Sequence, residues 1–484
     1  MRTTFRLKTL VVAIATFSVA SVASAAGLDR SGQDVTAFFQ DGLYAEAVYT
    51  YIDADVSGYD SSNNNPGVNT YERGNATGDI SEDYDFFRYG VKADINDTFS
   101  VGILYDEPFG AAAEYSGDNN FVAQDGDNRD ATISAISGGA IGPGGPFGSA
   151  AADFASAAGT VNSLQNIVLQ GGTLTSQQQS TLTSLAPAVG IAQAEFDTQG
   201  EGTNVEVRSQ NLTAILGMKL GGNKNFQIYG GPVAQRIEAQ VRLRGLAYGP
   251  ATGYTSNSNP DMDYGYIAGV SYNKPEIALK AALTYRSEID HDLQINENYP
   301  LAGTLAGNPA AAIRTSNYEI TTPESVNFDF QTGLNPTTLA TAKVRWVPWS
   351  DFVITPPLYN DVSKRSYGPD GLNLVEYEDD QWQVEVGVAK RVAPALAVSG
   401  TVGWDSGAGD PVTSLGPIEG YYSVGLGAKY NVTKNWAVSA GGKYLWFGDA
   451  KGQLPSDKIV GDFQDNDGYI VGVKLSYQAM QNFN

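Results

Sequence analysis

The connections between the candidate strands of this chain alternate strictly between short and long. Fourteen segments have the residue pattern of β-strands, and six tight turns alternate with seven long, Gly- and Asp-rich connections. In β-barrels of the bacterial outer membrane, short turns lie on one side of the membrane and long loops on the other. The alternation therefore predicts an all-β fold, a 14-stranded antiparallel transmembrane β-barrel over residues 43–478. The turns are predicted near 96–97, 221–225, 273–275, 333–336, 392–394 and 431–435, and the loops near 58–82, 107–203, 244–260, 290–318, 351–375, 405–417 and 448–466.

The last strand shows the side-chain pattern that such a barrel needs. Tyr469, Val471 and Val473 alternate with small or polar residues, and Tyr477 closes the apolar row. Successive side chains of a strand point to opposite faces, so one row contacts lipid and the other lines the interior. A large soluble β protein also alternates, but it leaves the aromatic ends and the one-sided loops unexplained. The strands are predicted at 43–56, 83–95, 98–107, 203–220, 225–243, 262–273, 276–289, 319–332, 338–350, 376–391, 395–406, 418–431, 435–447 and 467–478.

The strand at 203–220 departs from simple alternation. Val205 and Val207 have one parity, whereas Leu212 and Leu216 have the other. One extra residue shifts the parity of a strand. The pattern therefore predicts a β-bulge near Ser209.

The amino terminus indicates export. Basic residues before position 9 precede an apolar run over 10–22 and then Ala23-Ser24-Ala25, which predicts a signal peptide over residues 1–25. No later segment reaches about 18 continuous apolar residues, so we expect no helical anchor. The predicted location is the outer membrane of a Gram-negative bacterium, with 479–484 as a short C-terminal tail.

Composition excludes several classes of function. The chain has no cysteine, which excludes disulfides and thiolate metal sites, and its net charge of −23 argues against nucleic acid as a partner. His291 is the sole histidine and no G-x-S-x-G elbow is present, so we expect no enzyme. The acidic run 125–130 lacks the downstream glutamate of a calcium loop and is interpreted as an Asx-rich turn. We expect neither a cofactor nor a metal site, and we interpret the acidic loops as solvated charge, with divalent cations at the lipopolysaccharide surface as the alternative.

Two further segments have their own structure. Residues 26–42, with Arg30, Phe38 and Phe39, are either a frayed terminus or a plug in the bore of a 14-stranded barrel. The long extracellular connection 107–203 is predicted to be partly helical, with one helix near 150–169. A second helix begins near Ser176 and is expected to kink or end at Pro187. These helices either pack on each other or expose an apolar surface to a lipid.

Alternation also places cations in the lumen. Arg236 and Arg242, then Lys280 and Arg286, then Lys343 and Arg345 are expected to point inward from strands five, seven and nine. Together with Glu238, Glu288 and Asp329 they form either a charge ladder or a clamp in which arginine and lysine bind an anionic head group.

Several motifs resemble one known family. Residues 96–99, 282–288, 346–352 and 404–412 are similar, in this order along the chain, to segments of the long-chain fatty acid outer-membrane transport family, FadL/TodX type. The resemblance implies a barrel closed by an N-terminal hatch, with lateral release through the wall at a kinked third strand. On this chain Gly102, Pro108 and Gly110 are the corresponding weak points, because glycine and proline disrupt ladder bonds. The hatch here lacks the family's Asn-Pro-Ala, and the helical insertion follows strand three rather than strand five.

The sequence therefore predicts a monomeric outer-membrane channel for passive uptake of hydrophobic compounds, with long-chain fatty acid as the expected cargo. Outer-membrane lipid and lipopolysaccharide are its expected surroundings. A general diffusion porin for small polar solutes, an outer-membrane hydrolase and an adhesive surface protein are the alternatives.

Overall fold

The fold is a closed barrel of fourteen antiparallel strands, β1 to β14. The computed structural model describes residues 27–63, 70–142 and 150–480. β1 pairs with β2 on one side and with β14 on the other, which closes the wall and confirms the predicted fold class. The strands are β1 Leu43–Asp55, β2 Tyr84–Asp94, β3 Phe99–Asp106 with Gly110–Glu114, β4 Asn204–Leu220, β5 Phe226–Arg242, β6 Thr255–Ser258 with Asp261–Lys274, β7 Leu279–Arg286 with Ile289–Asn298, β8 Ile313–Thr322 with Ser325–Asn335, β9 Thr338–Val347, β10 Gln381–Ala393, β11 Leu396–Asp405, β12 Glu419–Asn431, β13 Trp436–Gly448 and β14 Asp467–Ala479. The predicted signal peptide lies outside the described residues.

The outer face carries an apolar band between two aromatic rows. Leu216, Leu426 and Val473 are among the exposed side chains of the band. The rings of Trp346 and Trp382 lie 6.4 Å apart toward the end of the barrel that carries the long loops, which we call the loop end. The opposite, turn-end row includes Phe226, Tyr272, Trp436 and Tyr477. This apolar band is the surface that a barrel presents to lipid, and we call it the lipid band.

β4 has no bulge, so the prediction of one near Ser209 is wrong. The strand keeps one register with β5 from Asn204 to Leu220. Val205 and Val207 point inward and are buried, while Glu206 points outward. Above the lipid band the outside is water and the inside is a packed apolar core, so the polarity of the two faces inverts without any change in backbone phase.

The extra residue lies in the neighbouring strand instead. Asp106 of β3 pairs with Asn211 and Gly110 pairs with Arg208, so three residues of β3 oppose two of β4. We call this interruption of the ladder, at residues 107–109, the break in β3, and Ser209 lies opposite it. Its hydroxyl accepts a hydrogen bond from the N–H of Phe109 (2.8 Å) and donates one to the Phe109 carbonyl (2.7 Å).

The loop end is covered by helices and a small second sheet. Val161, Ala186 and Ala192 belong to an apolar core shared by α1 to α3 of the long connection, so these helices pack on each other. α3 also packs on the loop between β7 and β8, where a Cβ on Gly190 would meet Leu301. The helices are α1 Gly126–Ile136, α2 Ala150–Leu169, α3 Ser176–Asp197, α4 Pro300–Ala306 and α5 Pro357–Tyr367, and the loop sheet comprises Ser57–Ser61, Arg73–Asp79, Val412–Thr413, Ala450–Gln453 and Ile459–Phe463. None of the described helices is long and apolar enough to cross a membrane.

Two local predictions in this connection are corrected. The second helix does not end at Pro187, because α3 continues to Asp197 as one helix, and a kink at Pro187 stays a prediction. Burial of the residues that follow, among them Val189 and Ile191, offsets the missing hydrogen bond of the proline. The segment interpreted as an Asx-rich turn is the start of α1, with Asp125 as its N-cap residue.

An arginine in the lipid band should destabilise the barrel, whereas the same residue above the band should not. For Leu216→Arg we expect a loss of about 2–4 kcal/mol in the free energy of unfolding, the cost of a cation near the bilayer midplane. Glu206→Arg, on the same face of β4 but beyond the band, is the matched control and should change it little. Urea unfolding in lipid vesicles measures both, and equal effects would contradict the placement of the band.

The packing of α3 should depend on pH through Glu195. This buried carboxyl accepts a hydrogen bond from Thr252, and burial raises the pKa of Glu195 to about 7. The folded state therefore holds the proton more tightly than the unfolded state, where the pKa is about 4.3. The resulting stabilisation, about 4 kcal/mol, is complete below pH 4.3 and is lost as the pH rises through about 7.

We expect the hydrogen exchange of α3, corrected for intrinsic rates, to accelerate between pH 6 and pH 8. Glu195→Gln should abolish this dependence, and Asp197→Asn, an exposed change on the same helix, should preserve it. The same pH dependence in Glu195→Gln would rule out this carboxyl as the cause.

Candidate functional site

An apolar cavity of about 80 Å³ lies inside the loop end of the barrel. Inward residues of several strands and residues of the covering loops form its wall, and Arg30 is the one charged residue among the described lining residues. The lining includes Leu28, Val56, Ile80, Val205, Val207, Val241, Ile295, Tyr318, Leu374, Val375, Tyr377, Leu415 and Ile418. We call this space the apolar cavity. Its chemistry suits a water-insoluble compound, because a few polar groups in an otherwise apolar lining orient a ligand.

Arg30 lies at the base of the apolar cavity. Its guanidinium donates a hydrogen bond to the carbonyl of Asp29 (2.9 Å) and lies 5.6 Å from the ring of Tyr84. These partners are neutral groups that leave room for a further acceptor on the planar cation. Arg30 is therefore the group nearest to the cavity that can attract a carboxylate.

Residues 27–42 fill the middle of the barrel and are called the plug. A single turn of 3-10 helix, Thr36–Phe39, places Phe38 in the bore, where it is 1% exposed. Phe38 occupies a slot between two strands, since a Cβ on Gly102 or Gly217 would lie 2.7 or 2.8 Å from its ring. Below the plug lies a second cavity of about 120 Å³, which Lys92, Lys219, Lys280, Lys343, Asp329 and Glu385 line together with Phe38 and Phe39.

Buried ion pairs hold the plug to the wall. Arg345 of β9 donates two hydrogen bonds, of 2.7 and 2.9 Å, to the carboxylate of Asp29, and both side chains are nearly inaccessible to solvent. Asp34 lies 3.2 Å from Arg88 and 3.1 Å from Lys343. Two plug carboxylates thus pair with three lumen cations.

Further hydrogen bonds complete the attachment of the plug. Lys280 donates to the carbonyl of Phe39 (2.8 Å), and Asn327 donates to the carbonyl of Gly32 (2.9 Å). Ser31 donates to Asp106 (2.8 Å), at the end of the first part of β3.

The plug also closes the break in β3. Asp29 forms a β-bridge with Phe109, the N–H of Arg30 donates to the carbonyl of Pro108 (2.7 Å), and the N–H of Gly110 donates to the carbonyl of Leu28 (2.8 Å). The backbone groups that β3 leaves unpaired in the wall therefore pair with the plug. One residue, Asp29, joins this closure to Arg345.

Gly102 lies away from this break. It pairs with Lys92 of β2 and with Ile215 of β4, so the ladder is intact around it. The interpretation of Gly102 as a weak point of the wall is wrong, and its physical role is the slot for Phe38. Pro108 and Gly110 do lie at the break.

Four of the six predicted lumen cations face the lumen, namely Lys280, Arg286, Lys343 and Arg345. Arg236 and Arg242 do not, and their inward prediction is wrong. On β5 the buried, inward residues are Ile237 and Val241, so both arginines point outward, Arg236 toward Glu238. This part of β5 lies beyond the lipid band. As in β4, the apolar side chains therefore point inward and the polar side chains point outward. Glu288 is exposed for a different reason: an extra residue at 287–288 of β7 shifts the alternation of the strand and places Glu288 on the outer face.

Arg286 differs from the other inward cations. Its Nη1 donates to Thr213 (3.1 Å), while its Nε and Nη2 atoms have no hydrogen-bond partner among the described residues. It lines a small space of about 10 Å³ beside Gln33 and Phe109. An acceptor that entered this space would find two unused donors.

Sequence reasoning missed the plug carboxylates Asp29 and Asp34, and Arg88, the partner of Asp34. A signal for them was present, because acidic residues in a segment expected to enter a cation-lined lumen need cationic partners. The role of the inward cations and of the plug residues in substrate binding stays a prediction.

Comparisons with known proteins agree on the fold. A model of the family described as outer membrane protein transport protein (OMPP1/FadL/TodX) matches residues 183–478. A crystal structure of a Pseudomonas aeruginosa FadL homologue aligns with a TM-score of 0.59 at 14% identity, over 97% of each chain. The P. putida toluene transporter TodX aligns with a TM-score of 0.51 at 10% identity, over 92% of each chain. A sequence search of curated proteins found no match.

Removal of Arg345 should loosen the plug. Arg345→Ala leaves Asp29 as an uncompensated buried carboxylate, which costs about 3–5 kcal/mol. We expect faster hydrogen exchange over residues 28–34 and a higher ionic conductance in planar bilayers. Arg236→Ala, on the outer face, is the control and should alter neither.

A double variant, Asp29→Asn with Arg345→Ala, should recover part of the protection, since it leaves no buried charge. Wild-type exchange over residues 28–34 in the single Arg345 variant would show that the ion pair does not hold the plug.

Proposed function

The chain belongs to the outer membrane protein transport family (OMPP1/FadL/TodX), and on this premise we propose that it is a passive uptake channel whose preferred cargo is long-chain fatty acid. The family comprises transport channels of the outer membrane for hydrophobic compounds. The observation that carries the proposal is the apolar cavity with the single cation Arg30 at its base, closed from below by the plug. An apolar tail fits the walls and a carboxylate fits the guanidinium.

The orientation follows from the barrel. Long loops of outer-membrane barrels face outside and short turns face the periplasm, so the apolar cavity opens toward the outside of the cell. Residues 1–25 act as the export signal in this proposal, and the channel works as a monomer among outer-membrane lipid and lipopolysaccharide. Cargo enters from the loop end without any covalent step or nucleotide.

The exit lies at the break in β3. The plug segment that contains Asp29 supplies the hydrogen bonds missing from the wall, and Arg345 holds that segment. Withdrawal of the segment opens the wall beside the apolar cavity, and an apolar molecule then moves sideways into lipid. Arg286, with its unused donors beside Phe109, is the next cation along this route.

A small aromatic hydrocarbon is the second candidate cargo, and the size of the cavity favours it. A cavity of about 150 Å³ accepts benzene. The apolar cavity, at about 80 Å³, must expand modestly for one ring and much more for a long acyl chain. Tyr318 and Tyr377 in its wall add aromatic faces.

Two alternatives have less support. A general diffusion porin needs an open bore, whereas Phe38 and its neighbours occupy this one. A serine hydrolase needs a hydroxyl on the histidine, whereas Nε2 of His291 contacts the side-chain oxygen of Gln235 (2.9 Å).

Uptake of a labelled fatty acid and of a labelled hydrocarbon separates the candidates. In a strain that depends on this channel, we expect uptake of oleate to exceed that of toluene. Arg30→Ala should lower oleate uptake about tenfold, the effect of one charge-assisted hydrogen bond, and leave toluene uptake within about twofold. Arg30→Lys keeps the charge and should restore part of the oleate uptake.

If the channel takes up toluene but not oleate, and Arg30→Ala does not change the uptake of toluene, the cargo is the hydrocarbon and not the fatty acid. Failure of the wild type to accelerate uptake of either compound would overturn the proposed function.

A further inference from the structure

The hydrogen-bond ladder between β6 and β7 is interrupted near the loop end. Pairing extends from Lys274–Leu279 to Ile267–Arg286 and resumes at Ser258–Ile295. One backbone hydrogen bond lies at each end of the interruption. The N–H of Ser287 donates to the carbonyl of Tyr266 (3.0 Å), and the N–H of Asn259 donates to the carbonyl of Gln294 (2.8 Å). On its other edge β6 stays paired with β5 through this section. The wall therefore has a gap on one side of β6 that backbone bonds do not close.

Three potential metal ligands lie in this gap. Asp261 and Asp263 of β6 and His291 of β7 point to the inside, and their ligand atoms lie within 4.8 Å of one another. His291 is fully buried, and its Nδ1 lies 3.4 Å from Oδ2 of Asp261. Neither of these two atoms has a hydrogen-bond partner among the described residues.

The contacts of Gln235 explain why Nδ1 lacks a proton to donate. The side-chain oxygen of Gln235 lies 2.9 Å from Nε2 of His291 and also accepts a hydrogen bond from Thr322 (2.6 Å). Its amide nitrogen donates to Asn211 (2.9 Å), which sets the orientation of the amide. In the neutral ring the proton is then on Nε2, and Nδ1 presents a lone pair.

A lone pair of His291 thus faces a carboxylate oxygen of Asp261 inside the barrel, and two acceptors at 3.4 Å repel unless a cation lies between them. A histidine that donates its second N–H to an oxygen is also the usual arrangement of a metal ligand. Two ligand atoms about 2.0–2.1 Å from a tetrahedral zinc ion lie about 3.4 Å apart. The observed separation needs no rearrangement to accept the ion.

We propose that Asp261, Asp263 and His291 bind a divalent transition-metal ion of the zinc class, which joins β6 to β7 where the ladder is interrupted. One imidazole nitrogen with carboxylate oxygens suits this class, whereas calcium and magnesium prefer oxygen alone. Asp261 is 28% exposed, so the ion has a path to the site and space for a water ligand. The ion takes over the mechanical role of the missing backbone bonds. The site does not depend on the identity of the cargo.

Zinc binding to the purified protein tests the proposal directly. The full mature chain in detergent, without an oligohistidine tag, is stripped with EDTA, incubated with Zn²⁺ in excess Mg²⁺ and desalted, and its zinc content is measured by mass spectrometry. We expect one bound Zn²⁺ per barrel, with at least about tenfold weaker binding in His291→Ala and Asp261→Asn. Asp290→Asn is the matched control, since Asp290 is adjacent but exposed on the outer face with Thr321 as its partner.

A folding control and a spectroscopic readout complete the test. Heat-dependent migration in gels identifies the folded barrel of each variant, and His291→Gln replaces the ring with a weak ligand of moderate size. Co²⁺ should give visible absorption bands in the wild type that this variant lacks. Wild-type protein that retains no zinc at pH 7.5 overturns the proposal and assigns the space between Asp261 and His291 to a proton. Equal zinc binding by His291→Ala overturns it as well and assigns the zinc to the acidic loops.

Discussion

A peptide group in hydrocarbon has no water to bond with, and an unpaired one costs several kcal/mol. That constraint accounts for the closure of β1 on β14 and for the continuous ladder around most of the wall. Two interruptions of the ladder lie toward the loop end. At β3 the unpaired groups are bonded by Leu28, Arg30 and the hydroxyl of Ser209. Between β6 and β7 none of the described segments fills the gap, and the side chains of Asp261 and His291 lie there instead.

Buried ion pairs are central to the attachment of the plug. Buried ion pairs contribute little net stability relative to well-packed apolar residues, but they are costly to break singly. Asp29 and Asp34, paired with Arg345, Arg88 and Lys343, therefore fix one position of the plug, in addition to the apolar packing of its Val35 and Phe38 against the wall. A ligand carboxylate that reaches Arg345 offers the same interaction that Asp29 provides. Within the proposed function, cargo and plug compete for one set of cations, which couples binding to the opening of the wall.

Sequence reasoning identified the barrel, its strand number and the inward position of Lys280, Arg286, Lys343 and Arg345. It failed for Arg236 and Arg242 and for the bulge near Ser209, and these errors share one cause. Alternation shows that two faces differ but does not show which face is wet. Beyond the lipid band the apolar row turns from lipid to the internal core, as Val207 and Val241 show. Knowledge of where each strand leaves the membrane was needed to assign the faces correctly.

By itself, the sequence determined the period-two pattern, the turns and the lengths of the connections, because these follow from local backbone geometry and from the contrast between lipid and water. Only the tertiary structure decided which distant residues meet. Asp29 and Arg345 are far apart in the chain, as are Asp261 and His291, and their contacts depend on strand register and on the path of the plug. Register is a property of the closed sheet as a whole, since each strand must satisfy two neighbours at once. No single segment of sequence contains that information.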